Sequence, residues 1–257
     1  MKNLTYCLTL FFISLISLYA QGSAGTNAKF EYRSLVDLPT AGILERGYVA
    51  ITSNVMPEGT VIAKLEVGVF NNVSFGISYG GSNIIGTGGV EWYNYPGVNF
   101  RIRIADETMS WPALTIGFDS QGKGRYFSDP GRFAIKSPGF FAAAAKNFEF
   151  LGYLSIHGLI NYSLESSDSD KDLNVGLGVE KTIGGSVSLI AEYDFATNDN
   201  NPLSFGGGNG YLNMALRWSV ADGFTVGIEL RDLLTNDKFD EFKADRALHI
   251  EYITAIF

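Results

Sequence analysis

The stretches Asp172-Leu-Asn-Val-Gly-Leu-Gly-Val-Glu180 and Val187-Ser-Leu-Ile-Ala-Glu-Tyr-Asp194 decide the fold of this chain. In both, large apolar residues fall on every second position, and most of the residues between them are polar or small. A two-residue period places the two sets of side chains on opposite faces of a β-strand. The same alternation recurs at 210–220 and 224–234. The C-terminal third therefore predicts neighbouring strands with one apolar and one polar face.

Strands with an apolar outer face and a charged inner face are typical of a transmembrane β-barrel. The 257-residue chain has 30 glycines and 14% aromatic residues, which suits a β-rich protein. After residue 20, no apolar run approaches the roughly 18 residues of a membrane-spanning helix. The net charge of −8 argues against a nucleic-acid partner. We predict an all-β fold: a single antiparallel barrel in the bacterial outer membrane, surrounded by outer-membrane lipid and inserted by the barrel-assembly machinery.

The first 20 residues have the features of a signal peptide: Lys2, an apolar run over 8–18 and small residues after it. Cleavage after Ala20 is preferred, and cleavage after Ala24 also fits. The single cysteine, Cys7, lies inside this segment, so the exported chain would hold neither a disulfide nor a thiolate metal site. The predicted organisation is a signal peptide (1–20), a periplasmic N-terminal segment or plug (21–45) and a barrel (46–257).

About twelve strands are predicted, within a range of 10 to 14. They lie near 46–55, 60–70, 73–80, 97–106, 112–119, 132–147, 151–163, 172–182, 186–197, 210–220, 224–234 and 246–257. Tight and long connections alternate between them, as in outer-membrane barrels with short periplasmic turns and long outer loops. The exception is the tight turn at 56–59, which this orientation places outside. The final aromatic residue, Phe257, resembles the assembly signal of bacterial outer-membrane proteins.

Charged residues of both signs are predicted to line the lumen if the apolar positions face outward. These residues are Lys64, Glu66, Arg101, Arg103, His157, Glu180, Glu192, Asp194, Arg217, Glu229, Arg231 and Glu251. One interpretation is an interior held together by salt bridges, and the other is a pore whose charges select solutes. We favour the first because a twelve-stranded barrel is narrower than the 16–18-stranded porins.

Enzymatic chemistry finds little support in the sequence. Ser155 and His157 share one strand face, as do His249 and Glu251, but both pairs are predicted to point inward, and no catalytic residue is predicted. Segment 166–172 is rich in oxygen ligands, but it lacks the glycine and the distal glutamate of a calcium loop. The glycines of 198–210 do not lie between a strand and a helix, as a phosphate site requires. Both segments are predicted to be flexible, solvated loops, and neither a metal nor a cofactor is predicted.

Three short pieces carry a family resemblance: Val36-Asp-Leu-Pro-Thr-Ala-Gly42, Pro112-Ala-Leu-Thr-Ile-Gly117 and Phe133-Ala-Ile-Lys-Ser137. In this order they resemble the YjbH-type family of exopolysaccharide-associated outer-membrane proteins, over about residues 34–230. The motif positions are Asp37, Pro39, Ala41, Gly42, Pro112 and Gly117. Here the family's Ser-Lys pair is reversed as Lys136-Ser137, and family members are usually much longer.

The resemblance implies a role in the secretion or surface attachment of a polysaccharide, together with export partners and without chemistry of its own. More broadly, we predict a barrel that acts in transport or surface assembly. A structural or adhesive closed barrel is the alternative, and a membrane-embedded hydrolase is a weaker one.

Overall fold

A computed structural model describes residues 21–238 and 244–256, and within them it contains fifteen β-strands and one 3-10 turn, Pro57–Gly59. The strands are β1 Tyr48–Met56, β2 Thr60–Phe70, β3 Val73–Ser82, β4 Glu91–Trp92, β5 Gly97–Ala105, β6 Ala113–Asp119, β7 Lys123–Phe127, β8 Arg132–Ile135, β9 Gly139–Glu149, β10 Tyr153–Tyr162, β11 Asn174–Thr182, β12 Val187–Asp194, β13 Tyr211–Ala221, β14 Phe224–Arg231 and β15 Asp245–Ala255. None of the helical structure in these residues is long and apolar enough to cross a membrane.

Twelve of these strands close into one antiparallel barrel. Its wall follows the order β1, β2, β3, β5, β6, β9, β10, β11, β12, β13, β14 and β15. The ring closes where β15 pairs with β1, from Tyr48 opposite Ala255 to Val55 opposite Leu248. Closure leaves no unpaired strand edge in the wall. This confirms the predicted single antiparallel barrel of about twelve strands.

The wall alternates as the sequence pattern predicts. On β11, Val175, Leu177 and Val179 are exposed on the outer surface, while Asn174 and Glu180 are buried on the inner face. Large apolar residues are exposed in the same way on every barrel strand described. An exposed apolar belt of this kind is typical of a surface that contacts lipid or another protein.

One predicted strand was wrong. The segment predicted as a single strand at 132–147 divides into β8 and β9 around Pro138. Proline has no N–H group to donate to a strand ladder, and the next residue, Gly139, takes a positive φ of 64°. Only β9 belongs to the wall, whereas β8 pairs with β7 in a separate hairpin.

The two ends of the barrel differ in their connections. At the tight-turn end, the strands are joined by 71–72, 106–112, 150–152, 183–186 and 222–223. At the long-loop end, they are joined by 83–96, 120–138, 163–173 and 195–210, and by the connection from β14 to β15, which is described up to Lys238 and again from Ala244. The 3-10 turn 57–59 is the short connection at the long-loop end. There the backbone carbonyl of Glu58 accepts a hydrogen bond from the amide of Asn83 (3.0 Å).

Candidate functional site: the occupied lumen

Residues 22–44, named here the inner segment, enter the barrel from the tight-turn end, turn at 35–38 and return to β1. The amide of Leu35 donates to the Leu38 carbonyl (3.0 Å), and the amide of Thr40 donates to the Arg33 carbonyl (3.1 Å), so the two arms pair across the tip. A Cβ atom on Gly42 would overlap the carbonyl oxygen of Tyr32. The arms can therefore approach this closely only with glycine at position 42.

Arginines on β5 bind the carbonyl groups of the returning arm. Arg101 donates from Nη1 to the carbonyls of Thr40 (3.2 Å) and Gly42 (3.4 Å). Arg103 donates to the carbonyl of Ala41 from Nε (3.2 Å) and Nη2 (3.0 Å). An irregular segment inside a barrel has no strand partner for these groups, and buried carbonyls without partners are costly. The wall arginines supply the missing partners.

A carboxylate on β12 provides the hydrogen-bond acceptor for the backbone amide groups of the tip. Glu192 accepts hydrogen bonds from the amides of Val36 (2.9 Å), Asp37 (2.8 Å) and Leu38 (3.1 Å). It also accepts one from the Asn213 side chain (2.8 Å), and it is only 1% exposed. Three successive amides aimed at one carboxylate form an anion-binding turn. The wall therefore recognises the conformation of the tip as well as its side chains.

Two ion-pair groups join the inner segment to one side of the wall, formed by β14, β15, β1 and β2. Arg33 pairs through Nε with Glu66 of β2 (3.2 Å) and through Nη2 with Glu251 of β15. Asp37 pairs with Arg231 of β14. All five side chains are largely shielded from solvent, where removing one partner of an ion pair is strongly destabilising.

Apolar contacts complete the fit of the tip. Inward-facing Gly178 and Gly176 on β11 leave room for Leu35 and Leu38, because a Cβ atom at either position would overlap the leucine side chain. Leu35 is 1% exposed and belongs to a small buried apolar cluster with Tyr32, Val36 and Ile190. Close packing of this kind is sensitive to the addition of a single methyl group.

The twelve residues predicted for the lumen all lie on the polar face of barrel strands. Besides those already described, Lys64 pairs with Asp119 (2.7 Å), and Arg217 pairs with Glu229 (3.1 Å) and donates to the Leu35 carbonyl. Asp194 accepts from the Asn174 side chain (2.7 Å). His157 and Glu180 face a cavity at the tight-turn end.

The family-motif residues fall in two places. Asp37, Pro39, Ala41 and Gly42 belong to the tip and the returning arm of the inner segment. Pro112 directly precedes β6, and Gly117 lies within β6. The predicted assembly signal, Phe257, lies outside the described residues.

The loops at 166–172 and 198–210, predicted to be flexible and solvated, are solvated only in part, because several of their residues are buried around two cations. Arg132 binds Asp168 (2.6 Å) and Asp199 (2.6 Å), and all three side chains are at most 4% exposed. Lys136 pairs with Asp168 (2.8 Å) and donates to the carbonyls of Asp170 (3.1 Å) and Asn198 (2.7 Å). The aspartates are buried because these two cations need partners.

The pKa values of two carboxyl groups in these loops are shifted in opposite directions. Burial alone would raise the pKa of Asp168, but hydrogen bonds and charge from Lys136, the Asp170 amide and the Arg132 charge lower it overall. Burial raises the pKa of Glu165, although it accepts hydrogen bonds from the amides of Phe133 (2.9 Å) and Ser137 (3.0 Å). Asp168 is thus an acid-sensitive contact of the long-loop end.

The pairs considered for catalysis do not form a nucleophile and base. Ser155 donates its hydroxyl to Asn147, and neither ring nitrogen of His157 has a partner within the described residues. His249 contacts Asn54 (3.2 Å) and Arg217 (3.0 Å) rather than Glu251. No group of three metal-ligating side chains occurs among residues 21–238 and 244–256.

Little space remains around the tip of the inner segment. Cavities of about 30 and 50 Å³ lie beside it, bordered in both places by Asp37, Pro39 and Lys123. Such volumes hold only a few water molecules. The tip of the inner segment thus leaves only water-sized spaces at these two places.

Sequence comparison finds no matching family model and no matching curated protein. Among solved structures, the KdgM porin is similar, with a TM-score of 0.51, 8% identity, and coverage of 80% of this chain and 98% of the porin. The same porin in complex with disordered oligogalacturonate gives the same values. The outer membrane protein Omp33 of Acinetobacter baumannii has a TM-score of 0.46 at 9% identity, over 82% of this chain and 99% of Omp33. The chain therefore shares the closed antiparallel barrel fold of the KdgM porin.

Proposed function

We propose that this chain is an outer-membrane channel whose lumen is held closed by its own N-terminal segment, and that it serves transport when the segment moves. The porin-like fold and the exposed apolar belt support the membrane location. The tight-turn end would face the periplasm, since Gln21, the first residue after the predicted signal peptide, lies there beside Asp222 (3.3 Å).

The charged lumen wall is the observation that carries this proposal. Arg33 and Asp37 of the inner segment bind Glu66, Glu251 and Arg231, which belong to the wall. If the segment left, those wall charges would face water, which solvates them without a new protein partner. An apolar wall could not be solvated by water in this way. The wall thus suits both a filled and a water-filled lumen.

A reversible disulfide across the lumen tests the proposal. Because a Cβ at position 178 would overlap Leu35 Cδ1, the Cβ atoms of residues 35 and 178 lie within about 5 Å, which suits a disulfide. The double variant Leu35→Cys, Gly178→Cys has no competing thiol once the signal peptide is removed. We expect single-channel recordings to show openings in the wild type, no openings in the oxidised variant, and their return on reduction.

A pair of single substitutions on the inner segment provides the complementary measurement. Arg33→Ala removes the buried ion pairs and should increase the open fraction. Lys29→Ala changes an exposed charge on the same segment and should not. Folding of each variant is checked by the different gel mobility of boiled and unboiled protein. Openings that persist in the oxidised double variant would contradict the proposed gate.

The resemblance to YjbH-type proteins extends the proposal to polysaccharide export or surface attachment. A deletion strain should then lose surface polysaccharide and regain it with the wild-type gene. The oxidised Leu35→Cys, Gly178→Cys protein should fail to restore it if the lumen carries the polymer. Normal restoration by the locked protein would favour the alternative role of a structural or adhesive barrel.

A further inference from the structure

A larger cavity, of about 270 Å³, opens at the tight-turn end between the inner segment and strands β6, β9, β10 and β11. Small inward-facing residues make the space: Ala113 and Ala145 face each other across β6 and β9, and Ala145 is in turn opposite His157 of β10. The ring of Tyr32 and the backbone of Gly42 close the other side. The cavity is therefore large enough for a small organic molecule.

His157 faces this cavity with its hydrogen-bonding capacity unused. Its side chain is 92% buried, since the residue is 8% exposed, and neither Nδ1 nor Nε2 has a partner within the described residues. A neutral imidazole carries one donor and one acceptor, and leaving both unmade costs free energy when the ring is buried. The occupant of the cavity must supply those partners.

Glu180, on the adjacent strand β11, is the charged group of the cavity that lacks an ion-pair partner within the described residues. It accepts a hydrogen bond from Ser188 (2.7 Å) and is 8% exposed. Arg103 is already paired with Glu31, and Glu107 with Lys146 (3.2 Å). Buried charges in proteins are normally paired, so the cavity favours an occupant that brings positive charge.

We propose that this cavity is a binding site for a small organic cation that carries a primary ammonium group. Glu180 is the counter-ion, and His157 accepts a hydrogen bond from the ligand through its unprotonated ring nitrogen. The volume admits a molecule the size of a short diamine and excludes an oligomer. The site does not depend on opening of the lumen, because it is reached from the tight-turn end.

Isothermal titration of the detergent-solubilised protein at physiological salt tests this site. The probe is 1,4-diaminobutane, and 1,4-butanediol is its uncharged counterpart of the same length. We expect the diamine to bind at least about tenfold more tightly than the diol, because only the ammonium group pairs with Glu180. Glu180→Gln should remove this preference while it keeps the hydrogen bond with Ser188. Glu149→Gln, an exposed carboxylate on β9 outside the cavity, is the control and should bind like the wild type.

The variant Ala145→Leu provides an independent measurement because it fills the cavity without changing a charge. It should abolish diamine binding, and boiled and unboiled gel mobility should show that both cavity variants fold. The proposal is overturned if the wild type does not bind the diamine, or if diamine and diol bind equally. It is also overturned if both cavity variants bind as the wild type does, since binding would then reflect the surface charge of an acidic protein. The titration does not measure conductance, so failure of the proposed binding site and failure of the proposed gate can be distinguished.

Discussion

At the scale of single residues, the closed lumen depends on matched small and charged side chains. Gly42 allows the two arms of the inner segment to meet, and Gly176 and Gly178 leave space for the leucines of its tip. Arg33 is held between two glutamates of different strands, and the three side chains are at most 6% exposed. Each of these positions has one residue type that satisfies both the space and the charge around it. Substitutions there should displace the segment before they affect the wall.

Gly42→Ala should release the inner segment without unfolding the barrel. The added methyl group would overlap the Tyr32 carbonyl oxygen, and that oxygen belongs to a backbone that cannot move away cheaply. We expect a local destabilisation of about 1–3 kcal/mol, seen as faster proteolysis of the segment in folded protein. Gly158→Ala is the matched control, since its Cβ would meet only the Leu177 side chain at 3.9 Å. Equal protease resistance in the two variants would show that Gly42 is not needed for the approach of the arms.

Asp168 should make the long loops sensitive to acid. Its pKa is lowered in the folded state, so its carboxylate contributes stability that is present above the ordinary aspartate value of about 3.9 and is lost as the pH falls through the lowered value. Hydrogen exchange of 163–173 and 195–210, corrected for intrinsic rates, should accelerate as the pH falls below about 4.

Asp168→Asn should flatten this dependence, whereas the exposed Asp172→Asn should leave it unchanged. An identical profile in the wild type and Asp168→Asn would mean that another group titrates.

At the scale of elements, the strands could be predicted and the contacts between distant elements could not. Two-residue periodicity is a local property, and for β11 it gives 172–182 against the observed Asn174–Thr182. The pairing of Arg132 with Asp199 joins residues 67 positions apart, and that of Arg33 with Glu251 joins residues 218 apart. No local sequence pattern predicts pairs between residues this far apart in the chain. The sequence therefore predicted the charged wall residues of the candidate site and offered 21–45 as a periplasmic segment or plug, but the contacts of that segment had no periodicity to reveal them.

Arg132→Gln should open the loops at the long-loop end. It would leave Asp168 and Asp199 buried without their guanidinium partner, a loss of about 3–5 kcal/mol for a buried pair. Arg125→Gln on the same hairpin removes an exposed pair with Glu91 and a cation–π contact with Phe127, and it should cost about 1 kcal/mol. Native-state hydrogen exchange of the loops measures both. If the two variants opened equally, the buried network would not be what holds the loops.

At the scale of the whole molecule, strand number, loop lengths and the inner segment give one consistent orientation. An even number of barrel strands places the start of β1 and the end of β15 together at the tight-turn end, where Tyr48 lies opposite Ala255. Outer-membrane barrels keep their short turns in the periplasm and their longer loops outside. In the proposed orientation, the inner segment reaches the lumen from the side on which export would leave it, and the folded loops at the other end face outward.

Epitope tags at the two ends should therefore differ in accessibility on intact cells. A tag inserted after Gly208, in the exposed part of the long 195–210 loop, should bind antibody without permeabilisation, because nothing in the structure lies within 4 Å of a Cβ built there. A tag inserted after Met109, a fully exposed residue of the 106–112 connection, should bind antibody only after the outer membrane is permeabilised. Both sites lie outside the barrel strands, so each tagged protein should keep the mobility difference between boiled and unboiled samples. The reverse pattern of labelling would show that the barrel has the opposite orientation. The tight-turn end, where the inner segment enters the lumen, would then lie on the cell surface.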